Sequence, residues 1–186
     1  KPLLEVWDSG VDPVAAKAAG GDLADMGYAK AKAKLKADTM STIVATPDQG
    51  GFTEIKVVGH KPKPAAGTAL VSFVNLCSNC EPLTVVPDGT KAKKPVAKNA
   101  IANKAKYAKP SKAKAVEPGE LDLQVLEGKK LKKAADPDAV MLDPDTIYTL
   151  FGIGWTQADQ PYAIVPAVDA QSSSVRFLNA SRQPPV

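Results

Sequence analysis

Apolar and polar positions alternate with period two over most of the second half of the chain, the spacing of half-buried strands. Leu121–Leu126 (LDLQVL) is the cleanest case. Around it the pattern predicts strands at Ala69–Leu76, Leu83–Val86, Val140–Leu142, Thr146–Gly152 (continued by Ile153, Gly154 and Trp155), Tyr162–Val165 and Ser174–Ala180. Earlier, Thr42–Ala45 and Thr53–Val58 are joined by Pro47-Asp48-Gln49-Gly50-Gly51, which predicts a hairpin. Turn signals separate the strands: Pro87-Asp88-Gly89-Thr90, Glu117-Pro118-Gly119-Glu120, Glu127-Gly128-Lys129-Lys130 and Asp143-Pro144-Asp145. Residues 1–12 contain a short apolar run around Trp7, read as a strand or an anchoring segment. Residues 13–38 are rich in alanine and lysine, and the lysines at 30, 32, 34 and 36 cannot share one helical face, so short helical or extended surface structure is expected there.

The fold class that follows is mainly β: an Ig-like antiparallel β-sandwich with an N-terminal extension holding a hairpin and short helical or irregular segments. A proline-rich stretch at Lys61–Gly67 suggests a boundary. The expected division is an extension over 1–64, a sandwich over 65–168 with a lysine-rich insertion at 91–114, and a C-terminal strand at 169–186. Strand fragments are expected in the insertion at Pro95–Ala97 and Ala105–Ala108.

One motif occurs twice. Val71-Ser72-Phe73-Val74-Asn75 and Val175-Arg176-Phe177-Leu178-Asn179 both read V-x-F-(V/L)-N, 104 residues apart (175 minus 71). That interval is about the length of one sandwich domain. The second copy reads as the opening strand of a further repeat, and three places are open to it: a truncated repeat, an added edge strand on the same sandwich, or a strand donated to a neighbour.

Composition narrows the function classes. The chain of 186 residues carries a net charge of +4, and its basic residues are lysines apart from Arg176 and Arg182. Lysine is a hydrated point charge without the bidentate fork of arginine, which argues against a base-reading surface. No apolar run approaches the ~20 residues of a membrane-spanning helix. The first residue is Lys1, which suggests a processed N-terminus.

Candidate chemistry is sparse. Cys77-Ser78-Asn79-Cys80 lacks the histidine that haem attachment needs, and Glu81 stands there instead. Zinc would need two further ligands, with only His60 at hand. A structural disulfide between Cys77 and Cys80 is the better reading, in an oxidising compartment. His60 is expected in an exposed loop, with too little around it for nucleophilic catalysis. Asp136-Pro137-Asp138 and Asp143-Pro144-Asp145 read as turn formers rather than a calcium loop. No catalytic residue, cofactor or metal is expected. Trp7, Lys91, Lys93, Lys94, Tyr107, Val175 and Phe177 are the candidate interaction residues.

In order and spacing, the motifs Val71–Asn75, Val86-Pro87-Asp88-Gly89, Pro118–Val125 and Met141–Gly152 resemble those of a family of extracytoplasmic β-sandwich domains of unknown function, whose members open on a V-R-F-V-N-A-S type strand. The chain is similar in the same way to the AlgF-like periplasmic accessory proteins of alginate O-acetylation. The resemblance covers about residues 68–165. It implies a periplasmic or extracellular sandwich and supplies no catalytic residues. The lysine-rich insertion and the first sixty residues depart from the family's pattern. The expected function is a non-enzymatic structural or accessory subunit docked on other protein subunits. The alternatives are a strand-exchanging fibre or surface-layer subunit, and an accessory protein for acidic exopolysaccharide modification. Nucleic acid is not an expected partner.

Overall fold

The computed structural model describes residues 3–6, 18, 20, 29–32, 40–47, 53–60, 64–77, 80–89, 96–154, 162–169 and 175–179; for the strands before residue 61 and for 175–179 the backbone alone is described. Trp7, Lys91, Lys93 and Lys94 lie outside these residues. The chain divides into two compact units, residues 1–60 with 172–186, and residues 61–171.

The larger unit is a β-sandwich. Its first sheet has the order β14-β13-β5-β8 and its second the order β11-β10-β6-β7, with a two-stranded ribbon of β12 and β9 beside them. These strands are β5 (Ala69–Asn75), β6 (Leu83–Pro87), β7 (Ala102–Ala105), β8 (Lys114–Val116), β9 (Gly119–Leu121), β10 (Leu123–Glu127), β11 (Lys132–Ala135), β12 (Val140–Leu142), β13 (Ile147–Ile153) and β14 (Ala163–Asp169). The mainly β expectation holds. Among the described strands of this unit the pairing is antiparallel except between β5 and β13, which run parallel.

Period two explains the core. Val71 and Phe73 of β5, Leu83 and Val85 of β6, Leu123 and Val125 of β10, and Tyr148 and Leu150 of β13 converge in one buried cluster. Each such side chain contributes roughly 1.5–3 kcal/mol of burial. Gly152 of β13 is fixed by close packing: a Cβ there would collide with the Tyr162 hydroxyl and the Phe73 ring.

The turn at Asp143–Asp145 locks β13 against the start of β5. Asp145 adopts a left-handed φ of 55°. Its Oδ1 accepts the Gly67 amide at 2.7 Å, and its own amide donates to the Thr68 carbonyl at 3.0 Å. The Tyr148 hydroxyl donates to Asp143 Oδ2 at 3.1 Å and accepts from the Asp143 amide at 2.9 Å. Asp136 pairs with Lys133 at 2.5 Å. The turn expected at Asp143–Asp145 is present, whereas residues 136–139 form an irregular connection without a turn.

Three local expectations are corrected. Pro95–Ala97 was expected extended, yet Val96–Asn99 forms a single helical turn. Residues 105–108 are not a strand, because the strand of that region, β7, ends at Ala105. Gly119 and Glu120 are not turn residues but open β9, paired with β12.

In the smaller unit, β1 (Leu3–Val6) pairs antiparallel with β2 (Ala29–Lys32), and β3 (Met40–Pro47) pairs antiparallel with β4 (Thr53–His60). His60 therefore ends a strand, opposite Met40, rather than lying in a loop. The last strand, β15 (Val175–Asn179), runs parallel to β3 in a three-stranded sheet of order β15-β3-β4. Of the three places open to it, an added edge of the 65–168 sandwich is excluded in this structure.

Candidate interaction surfaces

Residues 96–116 cross from one sheet of the sandwich to the other, and this crossing builds a strongly basic surface. The helical turn Val96–Asn99 leads into Ala100, Ile101 and Ala102, all buried. β7 then pairs with β6 through a register shift. Lys104 sits at that shift with a left-handed φ of 52°, and its amide donates to Thr84 Oγ1 at 3.2 Å. Left-handed geometry costs a non-glycine residue roughly 1–2 kcal/mol, and Ala108 adopts it too, at φ 51°.

Backbone bonds to β5 hold the crossing in place. The Ala108 amide donates to the Asn75 carbonyl at 2.7 Å and the Ser111 amide to the Phe73 carbonyl at 2.8 Å. Ser111 Oγ accepts the Phe73 amide at 3.0 Å and donates to the Lys112 carbonyl at 3.2 Å. Tyr107, a candidate contact residue, is half-buried and bridges to Asn75. Buried small residues hold the segment inward, and its lysines face water. The stretch is not the wholly exposed insertion that its composition predicts, because its alanines close part of the sandwich.

Six lysines, at positions 98, 104, 106, 109, 112 and 114, line a groove of about 520 Å³ that has no acidic residue in its wall among the described residues. Lys114 is anchored: its Nζ donates to the carbonyls of Lys98 and Ala100 at 3.0 and 3.1 Å. Lys98, Lys104, Lys106, Lys109 and Lys112 are exposed. A neighbouring cavity of about 710 Å³ shares Lys104 but also contains Glu81 and Glu127. Its mixed charge makes it the poorer anion site, although it is larger.

Cys77 and Cys80 are joined by a disulfide, with Cα atoms 5.4 Å apart. Asn75, the last residue of the repeated motif in β5, links this staple to the crossing segment. Its Oδ1 accepts the Cys77 amide at 2.9 Å and its Nδ2 donates to the Ala105 carbonyl at 3.4 Å. Among the described residues no His, Cys, Asp and Glu side chains cluster as a metal site would require, and no helix is long and apolar enough to cross a membrane.

The other surface is the sheet that receives β15, where Val175 and Phe177 lie opposite Ser41 and Ile43. A second internal match, missed in the sequence reading, becomes visible through the strand registers. Asp38-Thr39-Met40-Ser41-Thr42-Ile43-Val44-Ala45 corresponds to Asp145-Thr146-Ile147-Tyr148-Thr149-Leu150-Phe151-Gly152. The shared pattern, D-T-φ-x-T-φ-φ-small, was the available signal. Within the first sixty residues, Asp38–Ala45 thus has a counterpart elsewhere in the chain.

No family model and no curated protein matches the chain. Among solved structures, the C-terminal domain of AlgF from P. aeruginosa is similar to it at 19% identity. The match covers 55% of this chain and 99% of that one, with a TM-score of 0.39.

Proposed function

We propose that the protein is a non-enzymatic accessory subunit, secreted or periplasmic, that holds an acidic polysaccharide in the lysine-lined groove. The observation that carries this reading is the wall itself, with six lysines and no acid among the described residues. Ammonium groups spaced along a groove suit carboxylates repeated along a polymer. They act as point charges, so affinity comes from summed weak attractions rather than one tight pocket. A protein-docking face favours aromatic and arginine anchors and is depleted in lysine. In the crossing segment the one aromatic is Tyr107. The disulfide supports a location where thiols are oxidised.

The test is binding of a polyuronate to the intact protein at low ionic strength, measured by calorimetry. Binding is expected to weaken as salt rises, because exposed charges are screened over ~8 Å at physiological strength. Replacing Lys106, Lys109 and Lys112 together by Gln is expected to weaken it about tenfold, three exposed ion pairs at ~0.5 kcal/mol each. Absence of polyuronate binding at low salt, or an unchanged affinity in the triple variant, would refute the reading. Binding of an acidic protein but not of the glycan would restore docking on a protein assembly as the better account.

A further inference from the structure

The sheet β15-β3-β4 repeats the arrangement of β5-β13-β14 residue for residue. In the larger unit Val71 stands opposite Tyr148, Phe73 opposite Leu150 and Asn75 opposite Gly152, in parallel. In the smaller unit Val175 stands opposite Ser41, Phe177 opposite Ile43 and Asn179 opposite Ala45, also in parallel. The internal match aligns Ser41 with Tyr148, Ile43 with Leu150 and Ala45 with Gly152, so the two registers are identical. Each receiving strand then turns back through an antiparallel hairpin. A V-x-F-φ-N strand laid parallel to a D-T-φ-x-T strand is therefore one recognition unit, used twice.

The two uses differ in connectivity. In the larger unit the V-x-F-φ-N strand comes before its receiving hairpin. In the smaller unit it comes after, with the whole of residues 61–171 between β4 and β15. The larger unit keeps its own core: its buried cluster, from Ala69 to Ile164, lies within that span. So β15 is a short strand bound to a sheet built from the far end of the chain, on connections that run through an independently packed unit. Such an element exchanges between identical molecules at little cost, because the contacts made within one chain and between two chains are the same. Backbone pairing supplies the attraction, and the alternating apolar positions Val175 and Phe177 supply the register.

We infer that β15 is an exchangeable strand, and that its partner in trans is the β3–β4 hairpin of a second copy of this chain. Reciprocal exchange closes a two-fold dimer, whereas donation passed on from copy to copy gives open chains or larger rings. This inference stands on the strand registers and is independent of the lysine groove.

The decisive experiment mixes two full-length variants, Ser41→Cys and Val175→Cys, one carrying a mass tag, and treats them with a short bis-maleimide. A cross-linked species of both chains is expected. The off-register pair Thr46→Cys and Val175→Cys should give a much weaker band, since five residues of strand separate position 46 from position 41, about 17 Å. Equal yields from the two pairs would overturn the inference. The unsubstituted chain provides a second measure by light scattering from about 1 µM to about 1 mM, the upper end matching the effective concentration of a strand on a short flexible tether. Its mass should rise above 19.4 kDa with concentration. A constant single-chain mass over that range would overturn the inference whatever the variants do.

Discussion

Tyr162 packs its ring against Gly152 and Phe73, and its hydroxyl is, among the described residues, the buried side-chain oxygen without a hydrogen-bond partner. Burial, with the Glu127 carboxylate adding to it, pushes its ionisation far above the ordinary tyrosine range. Tyr162→Phe removes an unsatisfied group and keeps the ring, so it is expected to stabilise the fold by about 1 kcal/mol. The pH dependence gives the second readout. Below about pH 10 the phenol is protonated in both folded and unfolded chains. Above that it ionises only when unfolded, so the parent loses stability as pH rises and the variant lacks that loss. Urea denaturation at pH 8 and pH 10.5 should show the advantage of the variant growing with pH. None of this was legible in the sequence, where Tyr162 was simply the first residue of a strand. Asn75 was more legible. Its place in a repeated motif marked it, but its task of holding the Cys77 amide and the Ala105 carbonyl depends on a residue 30 positions away.

At the scale of elements, strands that bury one apolar face were readable. β5, β6, β10, β12 and β13 fall where alternation and β-branched residues place them. The crossing segment was not readable, for a physical reason. Alanine and lysine carry little strand preference, and β7 owes its place to Ala102 and Ala105 fitting the core beside Leu83 and Val85. The lysine groove was therefore expected as a charged stretch, at Lys91, Lys93, Lys94 and Tyr107, without the geometry that gathers Lys98 to Lys114. The disulfide is a local element too. It closes a loop of four residues, so chain entropy limits its contribution to about 2 kcal/mol. Chemical denaturation with and without reductant should differ by no more than that, with polyuronate binding retained.

For the whole molecule, the division into two units makes the last strand a selective probe. Removing residues 172–186 takes β15 from β3 and leaves the β5–β13 pair intact. Hydrogen exchange should then quicken across Met40–His60 while Ala69–Asn75 and Ile147–Ile153 keep their protection. Loss of protection in both sets would show that the units unfold together. The sequence announced the repeated strand but not its destination. Strand propensity fixes which residues extend, whereas the choice of sheet depends on a receiving hairpin more than a hundred residues earlier.

The row of Leu70, Ile147 and Asp169 across the first sheet has a consequence for how this fold can be threaded. β5 begins and β14 ends at the same end of that sheet, two strand spacings apart, about 10 Å. A polypeptide whose ends stand that close is topologically almost a closed loop. It can be opened elsewhere and still fill the same positions in space. The three-stranded sheet of the smaller unit follows that rule: with its hairpin first and its V-x-F-φ-N strand last, it is a circular permutation of the order of β5, β13 and β14.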